Sequence, residues 1–289
     1  MDAPVNRLNF KGLGVISAVV LAYAAIFALA YPLAQYSSTP LLGVIIGGPA
    51  ALLNLTFSVL GGFMVIKNRR EISSLDVLVA VVLASLVWVS VEYRYLFHGW
   101  TPIIPFYDPT LNALEVFLMA LGSFTLRSEG FIKSSLCEGD HHKAGRSLAK
   151  GFLLGIPFAL SNLAFFVFLY GQGLGVGDIV YGCVNALRPA VMEEVAYRLF
   201  FMGTSMSLLT KHVPRVIAVR SSVAMAVLFH SLPHVFELLP VNPLMALVTV
   251  LVSSVLFGLP MAVLAYRRDI EAAISFHWTI DAIRFILVG

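Results

Sequence analysis

The sequence predicts an all-α protein, a polytopic transmembrane helix bundle of eight or nine spans, and three observations carry that prediction. Of its 289 residues, 59% are hydrophobic and only 12% charged, against about 45–50% and about 25% in a soluble domain. A water-soluble fold of this size would leave much apolar surface uncovered. The apolar residues also fall into runs close to the ~20 residues that a helix rising about 1.5 Å per residue needs to cross a hydrocarbon core of about 30 Å. Finally, the basic residues alternate between loops, as expected of a chain that crosses a bilayer repeatedly.

The apolar segments, in order, are Gly12–Gln35, Leu41–Ile66, Leu75–Phe97, Leu111–Leu126, Gly151–Tyr170, Asp178–Leu209, Ile217–Leu239, Asn242–Ala265 and Ile270–Val288. The first is about twice the length of a signal-peptide core and is kept as a span. The fourth is short and the sixth long, which leaves the count at eight or nine. Pro189 is expected to split the sixth at Leu187-Arg188-Pro189, because proline lacks the N–H that a helix interior needs.

Arg7 and Lys11, then Lys67, Arg69 and Arg70, then Arg127, Lys133, Lys143, Arg146 and Lys150 occupy alternate loops, followed by Lys211, Arg215 and Arg220, and by Arg267 and Arg268. The intervening loops at Tyr36–Pro40, His98–Thr110, Gly171–Gly177 and Pro240–Val241 hold no lysine or arginine. The N-terminus is therefore expected in the cytoplasm of a multi-pass protein of the cell membrane. The polar stretch 127–150 is expected to be a cytoplasmic loop between an N-terminal region of about four spans (1–126) and a C-terminal core (151–289). A net charge of +3 spread over short loops gives no nucleic-acid signal, and Cys137 and Cys183 form neither a disulfide framework nor a metal-ligand spacing.

Four arginines remain inside the predicted spans, Arg94, Arg188, Arg198 and Arg284, together with Glu92, Glu115, Glu193, Glu194, His230, His234, Glu237, His277 and Asp281. A charge at mid-bilayer costs about 2.5–3.5 kcal/mol on insertion scales, so such groups need partners or a wet cavity and point to function. Most of them cluster in the C-terminal helices. In Glu193-Glu194-Val195-Ala196-Tyr197-Arg198, Glu194 and Arg198 are i,i+4 neighbours and are expected to pair. Glu193 points about 100° away and lacks a partner on its own helix, a placement suited to a general base that handles water. His230 and His234 share a helix face if the helix continues through Pro233, and this spacing also suits zinc. His277 and Asp281 are i,i+4, so the carboxylate can fix the imidazole tautomer; an Asp281–Arg284 pair at i,i+3 is the competing arrangement.

Glu-Glu-x-x-x-Arg, a histidine on the next span and His-x-x-x-Asp on the last resemble the CAAX prenyl protease type II and bacteriocin-processing (CPBP) family of intramembrane endopeptidases, over roughly residues 178–288. The resemblance implies that Glu193 activates water with the second-span histidine, that Glu194 and Arg198 support it, and that His277 and Asp281 contact the scissile carbonyl or its oxyanion. His230, deeper in the apolar run and ahead of the proline, is preferred as the second-span residue, with His234 retained. Asp281 stands where many members carry Asn; an ionised Asp cannot donate to an oxyanion, so it is either protonated or orients His277. Peptide or lipidated-peptide substrates and the bilayer lipid are the implied partners. A zinc site using His230, His234 and His277 is the alternative to metal-independent chemistry. A proton-coupled secondary transporter, and a non-catalytic immunity or scaffold protein of the same fold, are the competing functions.

Overall fold

The computed structural model describes residues 10–35, 48–98, 108–131, 133–236 and 238–288. Arg7, the loop at 36–40, most of the loop at 98–110 and Glu237 lie outside them. Among the described residues the regular elements are helical, without strands. The helices are α1 (Phe10–Gln35), α2 (Gly48–Lys67), α3 (Ser74–His98), α4 (Pro109–Phe124) and α5 (His141–Tyr170). The sixth segment is broken into α6 (Ile179–Asn185), α7 (Leu187–Glu193), a π-helix (Glu194–Met202) and α8 (Gly203–Thr210). Then come α9 (Arg215–Ser231) with a 3-10 turn (Leu232–Val235), α10 (Pro243–Ser253), a second π segment (Ser254–Gly258), α11 (Leu259–Arg267) and α12 (Ile270–Leu287).

Several of these helices start where a short polar side chain can accept an otherwise orphaned N–H. Asp108 accepts from Leu111, Asp140 from Lys143, Asp178 from Val180 and Tyr181, Asn242 from Met245 and Asp269 from Ala272. The cap at Asp140 starts α5 ten residues before the apolar run at Gly151. The segment 127–150 is therefore only partly loop, since hydropathy marks where a helix is apolar and not where it begins. Residues 134–136 of the same segment are fastened to α12. Ser134 Oγ donates to Glu271 Oε1 at 2.6 Å, the Leu136 N–H to the same oxygen at 3.0 Å, and Ser135 Oγ to Asp269 Oδ2 at 2.8 Å. Burial pushes the neighbouring Cys137 thiol up to about 12, which keeps it in its unreactive protonated form.

Ala50–Lys67, Ser74–Arg94, His141–Phe168, Arg215–Val235 and Pro243–Arg267 are long and apolar enough to cross a membrane, and Gly12–Ala28 and Pro109–Phe124 are shorter apolar helices. Large apolar side chains such as Phe63, Ile66, Leu153, Phe168 and Leu244 are exposed, as suits a lipid-facing surface. The molecule is a multi-pass membrane protein by these measures. Its main core joins Leu53 and Phe57 of α2, Val87 of α3 and Met119 of α4 to Val195, Met202, Phe229 and Ala273 of the C-terminal part. Packing is thus continuous across the polar segment.

Glycines at two helix contacts let backbones approach closely in the absence of a hydrophobic drive between helices. A Cβ on Gly61 of α2 would stand 2.5 Å from Leu118 O, and one on Gly122 of α4 would stand 2.6 Å from Gly61 Cα. Gly151 and Gly155, four apart on α5, sit against α12; a Cβ on Gly155 would stand 2.7 Å from Thr279 Cβ and 2.9 Å from Phe276 O. This contact sets the position of α12, which carries His277. Gly155→Val should lower stability by about 1–3 kcal/mol through overpacking, measured as denaturant unfolding in detergent. Gly145→Ala, at a helical glycine with open space around it, should leave stability unchanged or raise it.

Candidate active site

Glu193, His230, His234, His277 and Asp281, all expected from the sequence, line a single cavity of about 510 Å³. α7 supplies Glu193 at its last residue, α9 supplies His230, the following 3-10 turn supplies His234, and α12 supplies His277 and Asp281. The α-helix ends at Ser231, ahead of Pro233, so His234 does not continue the helix that carries His230. The two rings still meet edge to face, 5.1 Å apart.

Glu193 lacks a partner on its own helix but gains one from the next. His230 Nε2 lies 2.6 Å from Glu193 Oε2, whereas His234 Nε2 and His277 Nε2 stand at 3.7 and 3.8 Å from that oxygen. His230 is buried and His234 about half exposed, so the two candidates for the second-span position both reach Glu193, His230 more closely. Glu194 and Arg198 form the expected ion pair at 3.3 Å, with both side chains fully buried. The contact lacks hydrogen-bond geometry at Arg198 Nη1, and Glu194 Oε2 has no hydrogen-bond partner among the described residues. Arg198 Nη2 instead reaches His230 Nδ1 at 3.3 Å and Gly258 O at 3.4 Å.

That contact assigns the His230 tautomer. A guanidinium only donates, so Nδ1 accepts and the ring proton sits on Nε2, donated to Glu193. His277 is held differently: its Nδ1 donates to Glu194 Oε1 at 2.9 Å, and its Nε2 faces Asp281 Oδ2 at 3.4 Å. Both pairings expected of Asp281 are present, since Arg284 Nη2 lies 3.0 Å from Asp281 Oδ1. The aspartate is engaged on one side by a guanidinium and on the other by the imidazole.

The backbone around these groups departs from regular α-helix at two places the sequence reading missed. Arg198 lies in the π-helix Glu194–Met202, and Gly258, whose carbonyl it touches, closes the second π segment. Such i→i+5 segments are rare and concentrate at functional sites. Pro260, just beyond the second, removes the N–H that Leu256 O would otherwise accept, which is the signal that could have found it. The cavity wall also includes Arg94 from the N-terminal part, Arg188, Arg284 and Gln172, with Phe165, Phe166 and Phe257. Arg284 lies over the Phe166 and Phe285 rings at 4.8 and 4.4 Å.

Side-chain ligand atoms of Glu193, His230 and His234 come within 4.8 Å of one another, close enough to hold one metal ion. His277, the third histidine of the alternative zinc set, is turned to Glu194 and Asp281. A histidine that ligates through Nε2 normally gives its Nδ1–H to an acceptor. Here Nδ1 of His230 faces the donor-only Arg198, so the residues fit an imidazole donating to a carboxylate better than one bound to zinc.

Residues 175–283 match the family model for type II CAAX prenyl endopeptidase Rce1-like proteins. The Rce1-like segment runs from just before α6 into α12 and contains Glu193, Glu194, Arg198, His230, His234, His277 and Asp281. It agrees with the resemblance carried by the sequence motifs, and for these residues it indicates a protease, a hydrolase. No curated protein and no solved structure matches the chain. Arg198→Ala should strand the buried Glu194 carboxylate beside the Rce1-like site and cost about 3–5 kcal/mol. Equilibrium unfolding in detergent measures it, with Glu193→Gln, at the edge of the cavity, expected to change stability by less than about 1 kcal/mol.

Proposed function

We propose that the chain is an intramembrane endopeptidase that hydrolyses a peptide bond with water activated by Glu193 and His230, independently of metal. The observation that carries this reading is the 2.6 Å contact between His230 Nε2 and Glu193 Oε2 at the wall of a cavity lined by charged and aromatic side chains. His230 holds one carboxylate oxygen and leaves the other for a water molecule. Glu193 takes a proton from that water as its oxygen bonds to the scissile carbonyl carbon. The C–N bond then breaks as Glu193 returns the proton to the leaving amine, giving a carboxylic acid and an amine, and the acid's remaining proton passes to the amine to leave a carboxylate and an ammonium group. His277, whose Nδ1 and Nε2 face the carboxylates of Glu194 and Asp281, is protonated on both nitrogens, and its Nε2–H stabilises the oxyanion. Asp281, bound to Arg284, orients His277 and does not itself donate. His234 borders the same water space and assists.

Several features support C-terminal processing of a peptide or lipidated peptide. Arg94, Arg188 and Arg284 line the cavity that holds Glu193, and guanidinium groups are suited to a terminal carboxylate. The aromatic wall of Phe165, Phe166 and Phe257 suits an apolar side chain or lipid. The described helices follow the apolar segments, and lysine and arginine fall in alternate loops; these support a reading of eight or nine spans with the N-terminus in the cytoplasm of a cell-membrane protein. On this reading residues 151–289 form the protease core and 1–126 the N-terminal region, a division of chemistry across one packed unit.

Glu193→Gln in purified protein should lower peptide cleavage by about 10²–10⁴-fold, measured by mass spectrometry in detergent or liposomes. A chelator should leave wild-type cleavage unchanged. Cleavage that survives the substitution rules the mechanism out, and solute uptake by proteoliposomes with no cleavage of any peptide favours a transporter. A peptide with a free C-terminal carboxylate should be cut about tenfold more efficiently in kcat/KM than its C-terminal amide, a loss of about 1.4 kcal/mol. Equal rates would remove the arginines from that role.

A further inference from the structure

Two prolines interrupt the helices that carry the reacting pair. Pro189 lies four residues before Glu193, and Pro233 lies between His230 and His234. Each deletes the N–H that would have satisfied the carbonyl four residues earlier, and a buried carbonyl needs a partner. Those carbonyls belong to Asn185 and Phe229. Both are taken by side chains of the N-terminal helices, outside the Rce1-like segment.

The Phe229 carbonyl accepts the Tyr23 hydroxyl at 2.6 Å. The Tyr23 ring stacks on the Phe229 ring, 3.6 Å between centroids and 9° from parallel, and both are buried. At the other break, Ser90 Oγ of α3 donates to Asn185 O at 3.4 Å and accepts from the Arg188 N–H at 3.2 Å. Arg94 Nη2 adds a contact to Asn185 O at 3.5 Å. Ser90 is fully buried, so one hydroxyl bridges the two sides of the α6–α7 break. Glu193 and His230 thus sit on helix ends whose irregular backbone is completed by α3 and α1.

We propose that Tyr23 and Ser90 are positioning residues, which set the Glu193–His230 geometry by capping the carbonyls that Pro233 and Pro189 release. The proposal rests on the reading of Glu193 and His230 as the reacting pair. It gives the N-terminal helices a role in the reaction: they hold the acid–base pair in register without touching substrate. Displacements of about 1 Å at a reacting group can cost on the order of 10²-fold in rate, so small shifts at these breaks matter.

A double-mutant cycle on the full-length protein tests it. Tyr23→Phe keeps the ring stack and deletes only the hydroxyl; it should lower kcat about tenfold with KM within about twofold. Pro233→Ala restores an N–H to the Phe229 carbonyl. Adding Tyr23→Phe to Pro233→Ala should therefore lower kcat by less than about twofold, a clear departure from additivity. Ser90→Ala with Pro189→Ala should behave in the same way. Unchanged kcat in Tyr23→Phe, additive losses in the cycle, or a loss of unfolding stability with kcat intact would each overturn the positioning role. Glu193→Gln run alongside separates the two ideas. Cleavage that survives it defeats the proposed function, while the same cycle read by unfolding in detergent, with no substrate, still reports whether the hydroxyl and the proline share one carbonyl.

Discussion

The Arg198 guanidinium has no exposure to solvent, and the rest of the site is arranged around the need to keep a charge there. An unpaired cation in such surroundings would be untenable. It faces Glu194 on its own helix, the His230 ring on α9 and the Gly258 carbonyl at the end of the second π segment. Because arginine has no acceptor, its contact with Nδ1 leaves the His230 proton on Nε2. That proton is what joins His230 to Glu193. The same Glu194 carboxylate accepts from His277 Nδ1, so one buried pair fixes the rings of two histidines on two other helices. Removing the pair would disturb both, which is why supporting residues are as much part of the site as the groups that meet substrate.

Irregular helix is how this bundle delivers those groups. A straight helix would place Glu193, Glu194 and Arg198 by a fixed periodicity and would satisfy every carbonyl internally. Proline and π segments release carbonyls from that ladder, and in an apolar bundle the released groups must be matched from neighbouring helices. Asn185 O is matched by Ser90 and Arg94, and Phe229 O by Tyr23, while Arg198 adds a contact to Gly258 O at the end of the second π segment. The breaks therefore tie helices together. They also account for a core that runs through both parts of the chain, since the N-terminal helices supply partners that the C-terminal segment does not make for itself.

Much of this was legible in the sequence, and the boundary of legibility has physical causes. Apolar run length located the helices of the described residues, five of them long and apolar enough to cross a membrane, because a lipid-facing helix is a matter of composition and length. Spacing along one helix anticipated Glu194 with Arg198 and His277 with Asp281, because i,i+4 contacts depend on local geometry alone. The break at Pro189 was legible for the same reason. Contacts between helices were not. Glu193 read as partnerless because its partner lies on another helix, and spacing along one helix could not place Arg94, on an N-terminal span, at the cavity it lines. The beginning of α5 was missed because its first turns are polar, yet the Asp140 cap that starts it is a local signal. The π segments change the periodicity from which angular positions were inferred.

The concentration of fixed charges also bears on what kind of machine this is. A transporter must carry its ionisable groups between two accessible states, so their partners have to exchange readily. Here the contacts are interlocked: Glu194 is shared by Arg198 and His277, Asp281 by His277 and Arg284, and Glu193 is held by His230. Glycine contacts pin α5 against α12, and the 134–136 segment is bonded to the start of α12 through Glu271 and Asp269. Catalysis profits from such rigidity, because groups held in place before the substrate arrives need no reorganisation as charge develops. The lattice of contacts thus favours a site that acts on a bond over one that moves a solute, in keeping with the match of residues 175–283 to an endopeptidase family model.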